Sequence, residues 1–145
     1  MRGRGLAALL VIAAVAAAIA YLLISHTHDA APPGCSQLLA WRSGPGFGDK
    51  VRAETELGGM LAARTSAEAR SHFGALMAGT SDGLQHPPPG SAREIYVKAL
   101  TDFRTAGLDL RDNKVDAAMI ITESAITADQ KATATLNSQV ARCRR

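Results

Sequence analysis

Two cysteines, four histidines and a scatter of carboxylates are the side chains in this sequence with chemistry to offer. Cys35 and Cys143 bracket its polar portion. An even pair in an oxidising compartment is expected to be bridged. Closing a loop of this size stabilises a fold by about 4.7 kcal/mol at most on the chain-entropy model. A bridge leaves no thiol for nucleophilic work. His26 and His28 are two ligands on an exposed stalk, where a closed metal site needs three or four. His72 and His86 are the other two histidines. His72 stands beside Phe73 in a helical pattern and reads as a partly buried surface residue rather than a base. Glu54/Glu56, Asp109/Asp112 and Glu123/Asp129 are carboxylate pairs, but general acid–base work needs a cleft and shifted proton affinities.

Two apparent motifs fail on spacing. Gly44, Gly46 and Gly48 lie in RSGPGFGDK, where Lys50 follows Asp49; a phosphate loop needs Gly-Lys-Ser/Thr opening a helix after a strand. The segment reads as a flexible loop with Phe47 tucked against the domain. Counting Asp112 as the first position of a calcium loop puts Asp116 fifth and Glu123 twelfth. The third position is then Lys114 and the sixth Ala117, where an oxygen ligand and a glycine are required. Nothing in the chain implies a cofactor or a metal.

The elements that would carry these residues begin with residues 6–24, LAALLVIAAVAAAIAYLLI, nineteen positions without charge, Gly or Pro. At helical rise this run spans about 28 Å, close to the hydrocarbon thickness of a bilayer. It reads as a signal-anchor helix contacting the lipid bilayer. Arg2 and Arg4 precede it, and the first basic residue after it is Arg42. The positive-inside rule therefore leaves residues 1–5 in the cytoplasm and sends the rest outward, making a single-pass protein of the cell membrane. The run exceeds the usual signal-peptide core, and cleavage after Ala30 or Ala31 would place His28 or Asp29 at the −3 position. A secreted form after cleavage is the alternative.

Beyond a spacer at 25–34, residues 35–145 read as one helical domain with a Pro-rich internal linker at 80–90. Of sixteen basic residues Arg2 and Arg4 lie before the apolar run, so fourteen face thirteen acidic ones beyond it. That balance gives no basic face for nucleic acid. Alanine abundance and few aromatics favour close-packed helices over a sheet.

Residues 49–64 form the first expected long helix, capped by Asp49, with Val51, Thr55, Gly58 and Ala62 inward. Gly58-Gly59 implies a kink or a close neighbour. Thr65-Ser66-Ala67-Glu68 is a capping box opening a helix at 66–78, closed by Gly79. Ser91-Ala92-Arg93-Glu94 is a second capping box, opening a helix over 92–110 with Ile95, Ala99, Phe103, Ala106 and Leu110 inward. Asn113 caps the last helix, which runs to about Ala141 and carries Val115, Met119, Thr122, Ile126, Thr133 and Val140 as its stripe. These last two helices pair as a hairpin. Leu38, Leu39 and Trp41 cover Leu136 and Val140 when the bridge closes.

The expected architecture is all-α: a transmembrane helix, then a bundle of about four helices clasped by Cys35–Cys143. The expected role is non-enzymatic binding of a protein or other envelope component outside the membrane. A small envelope hydrolase is the competing class.

Overall fold

A computed structural model describes residues 34–145. The apolar run 6–24, its flanking Arg2 and Arg4, and His26 and His28 lie outside the described residues. No described helix is long and apolar enough to cross a membrane. The described residues form five helices and no strand: α1 Cys35–Ser43, α2 Pro45–Ala62, α3 Ser66–Gln85, α4 Arg93–Arg111 and α5 Val115–Cys143. α2 and α3 make one antiparallel hairpin, α4 and α5 a second. The hairpins meet through α3 and α4, and α1 lies across α2 and α5.

Local chemistry accounts for these boundaries, with several corrections to the sequence reading. The glycine-rich segment is the first turns of α2, not a loop. Pro45 sits at the start, where a missing N–H and a fixed φ suit the first helical turn. Gly46 is buried because a Cβ there would collide with the Trp41 indole and lie 2.9 Å from the His86 carbonyl. Asp49 is therefore inside α2 and caps nothing.

The Thr65 capping box forms as expected. The Thr65 hydroxyl accepts from the Glu68 N–H, and the Glu68 carboxylate accepts from the Thr65 N–H. Gly79 does not end α3, which continues to Gln85. The glycine that the packing demands is Gly83, where a Cβ would lie 2.6 Å from the Leu100 methyl. The linker thus contracts to about 86–92.

Ser91 caps nothing. Ala92 occupies the N-cap of α4 without a side-chain bond, and the Ser91 hydroxyl accepts instead from Gln139 at 3.0 Å. Asn113 turns the chain in a left-handed conformation, φ 59°, a state asparagine tolerates, and Lys114 precedes α5. Thr65→Ala should therefore cost about 1 kcal/mol in chemical denaturation. Ser91→Ala, the nominally equivalent change, should cost less than half as much; equal losses would contradict the cap assignment.

The core is built from small residues around a few large ones. Tyr96, Leu100 and Phe103 of α4 are enclosed by Leu57, Leu76, Ala125, Ala128 and Ala132. Alanines at 99 and 106 on α4 face those of α5, which lets the second hairpin close tightly. The expected stripe of α4 is largely correct. That of α2 is rotated, and that of α5 holds at the buried Thr122 and Val140 but fails at Val115, Met119 and Ile126. Val51, Thr55, Met119 and Ile126 point outward, while Ala53, Leu57, Ala118, Ala125 and Ala132 point in.

Cys35 and Cys143 are disulfide-bonded, with Cα atoms 5.4 Å apart. The bond joins the start of α1 to the end of α5. Beside it Leu38, Ala92, Leu136 and Val140 form a second small core, flanked by Leu39 and Trp41.

Candidate binding groove

α5 has one full-length neighbour, α4, so much of its length faces outward. Between the two helices runs a groove of about 580 Å³. Ile95 of α4 and Ile120 and Ala128 of α5 supply its apolar lining. Glu94, Lys98, Glu123 and Lys131 stand along it as charges of both signs. Ile120 is 69% exposed, and Val115 and Met119 expose about half their surface on the same helix. The helical period explains this. Ala118, Thr122 and Ala125 take the inward face, which turns Ile120 nearly opposite to it.

One polar network fixes the two helices beside the groove. Lys98 donates to the Ser124 hydroxyl at 2.9 Å and pairs with Asp102; Ser124 in turn donates to Asp102 at 2.8 Å. Serine beside lysine is the residue combination of a Ser–Lys hydrolase. Such a lysine must be neutral to take the serine proton. Lys98 is open to solvent and ion-paired with Asp102, so its ammonium has no lone pair to offer. The serine proton points to Asp102, and the trio sets helix register instead.

A second polar centre holds the near end of the bundle. The Trp41 indole N–H donates to the His86 carbonyl at 2.7 Å, and the Tyr96 hydroxyl to the Gly46 carbonyl at 2.8 Å. Trp41 meets Phe47 and Tyr96 edge-to-face, and the Arg42 guanidinium lies 3.5 Å over the Phe47 ring. Burial, with Asp49 and Asp129 nearby, pushes the Tyr96 phenol well above its ordinary range, so it remains a donor. Burial and then the neighbouring Asp82 raise the Asp49 carboxyl. Beneath lies a buried ion pair, Lys50 Nζ to Asp129 Oδ1 at 2.7 Å.

The candidate residues from the sequence are dispersed by this fold. His72 Nδ1 meets Glu56 at 2.7 Å and its ring packs on Gly59, which explains that glycine; a Cβ at Gly58 would meet open space. Glu54 is exposed. Asp112 binds Arg111 at 2.8 Å, and Asp109 lies 3.9 Å from Lys114. Glu123 borders the groove while Asp129 is buried, so they do not act together. His86 receives the Trp41 bond through its carbonyl, and its ring lies 3.1 Å from the Asp82 carbonyl. Among the described residues no three His, Cys, Asp or Glu side chains converge on a metal position. Of the groove residues, the sequence marks Ile95 only as part of the inward stripe of α4 and gives Lys98, Ile120, Ser124 and Lys131 no site role. Only Ile120, an apolar residue off the buried face of a helix, left a readable signal.

Geometrically this is a disulfide-clasped helical bundle with an open, mixed-charge groove. Comparison of the chain with protein-family models, curated proteins and solved structures finds no match.

Proposed function

We propose that this chain is a membrane-anchored binding module, held by residues 6–24 with Arg2 and Arg4 inside and residues 35–145 outside the cytoplasmic membrane. Its α4–α5 groove takes a polypeptide segment of an envelope partner. The observation that carries the reading is Ile120, a large aliphatic side chain left open in a groove on a covalently clasped scaffold. Exposed apolar surface bordered by polar groups is the ordinary signature of a protein contact. Charges of both signs suit a peptide, whose own side chains can answer each, better than a polyanion. The disulfide supports an oxidising location. Neither His72–Glu56 nor Ser124–Lys98–Asp102 supplies a free base beside a nucleophile, which disfavours the hydrolase.

The test has two parts. A reporter fused after Arg145 should be active only outside the cytoplasm, with the N-terminus retained at Met1. The full chain should recover a partner from an envelope extract. Ile120→Glu should cut that recovery at least tenfold, and Val51→Glu, on the outer face of α2, should leave it unchanged. Equal recovery by both variants would remove the groove from the reading; a mature N-terminus near Ala31 would remove the anchor.

A further inference from the structure

The opposite end of the bundle from the disulfide carries a second depression, of about 560 Å³, where the ends of three helices converge. Met60 of α2, Ala69 and Phe73 of α3 and Leu110 of α4 line it with half-buried apolar surface. Arg70 and Arg111 are the charged residues of this lining. Among the described residues, the nearby carboxylates leave Arg70 unpaired and engage Arg111 through a single nitrogen. Asp112 takes one edge of Arg111, through Nε at 2.8 Å. Glu68 is held in the Thr65 cap, accepting from the Arg64 and Thr65 backbones at 2.9 and 3.2 Å. Asp109 faces Lys114. Arg70 has no carboxylate partner among the described residues. The Arg111 guanidinium also lies 5.3 Å from the Phe73 ring centroid, which sets a cation at the edge of the apolar floor.

We infer that this depression binds a free aliphatic carboxylate, a single-chain amphipathic anion. Its head group is held by the Arg70 and Arg111 forks and its chain lies on Met60, Phe73 and Leu110. A guanidinium presents paired N–H donors matched to a carboxylate. The volume falls in the range of small-molecule pockets, and apolar walls with a few placed polar groups are their usual makeup. The pocket shares no residue with the α4–α5 groove, so the inference stands apart from the proposed function.

Decanoate is the probe. The full chain, ¹³C-methyl-labelled at methionine, is placed in phosphatidylcholine nanodiscs and titrated by NMR. The Met60 methyl signal should shift saturably, while Met119, on the outer face of α5, holds its position. Decanol should need at least tenfold higher concentration. The Arg70→Gln/Arg111→Gln variant should weaken decanoate binding at least tenfold, and Arg→Lys at both positions should recover part of the loss. An unmoved Met77 signal confirms that each variant is folded. Parallel movement of Met60 and Met119, equal binding of decanol, or full binding by the Gln variant would each overturn the inference. So would a Met60 shift produced by phosphatidylglycerol in the disc without decanoate, which would make a bilayer lipid the occupant.

Discussion

Cys35→Ser and Cys143→Ser are each expected to cost about 2–5 kcal/mol, by equal amounts, with the double variant no worse than either. The bond joins residues 108 positions apart, so its loss returns nearly the whole described chain to an unconstrained denatured ensemble. The native state also suffers. α1 is nine residues long, and its backbone lies close only to α2 and α5. A helix that short is not stable alone in water and depends on its packing. Without the bond, the Leu38 contact with Leu136 and Val140 has little else to hold it, and the Trp41 bond to His86 loosens with it. Reduction should lower the melting temperature by roughly 10 °C or more for a domain of this size. Equality of the two single variants is the decisive result, because a shared bond is lost once. Two independent buried thiols would instead give additive losses, and two free thiols by mass spectrometry would remove the clasp from the architecture.

The bond and the hairpin of α4 and α5 were legible because their signals are local or pairwise: two cysteines, a turn, and large residues at helical spacing in α4. The Thr65 cap was legible for the same reason. The faces of α2 and α5 were not. In α2 the stripe through Val51, Thr55, Gly58 and Ala62 runs beside the face that Ala53 and Leu57 bury. In α5 a stripe through the large Met119 and Ile126 misses the interior, which between close helices has room mainly for alanine, so Ala118, Ala125 and Ala132 take it. Bulk is turned outward, and that turn creates the candidate groove. Gly79 and Gly83 show the same limit. Both sit four residues apart in α3, and only contact with Leu100 and Tyr96 of another helix distinguishes the one that must lack a side chain. The Ser124–Lys98–Asp102 trio spans two helices and has no sequence signature.

Lys50 and Asp129 sharpen that limit into the second large expected effect. Both would be placed on solvent faces by composition, yet their side chains are 6% and 9% exposed. They bridge α2 and α5, which nowhere bring their Cα atoms within 8 Å of each other. The pair thus fills a gap between the hairpins that backbone packing leaves. Removing one partner strands a charge out of water, so Lys50→Met or Asp129→Leu should each cost about 3–5 kcal/mol. Replacing both should recover most of that loss and can exceed the parent, because two well-packed apolar side chains need no desolvation of charge. The coupling between the two substitutions, measured by denaturation as a double-mutant cycle, should therefore be large and opposite in sign to the single losses. Raising salt to about 1 M should hardly change it, since counterions screen buried pairs far less than exposed ones. Lys98 and Asp102, with Lys98 open to solvent, provide the internal contrast: their coupling should be small, about 0.3–0.5 kcal/mol, and should fade with salt. Single losses below about 1 kcal/mol at Lys50 and Asp129, or a coupling that salt abolishes, would mean that water reaches the pair. The hairpins would then be joined by the packing of α2 and α3 on α4 and by the disulfide, without help from the ion pair.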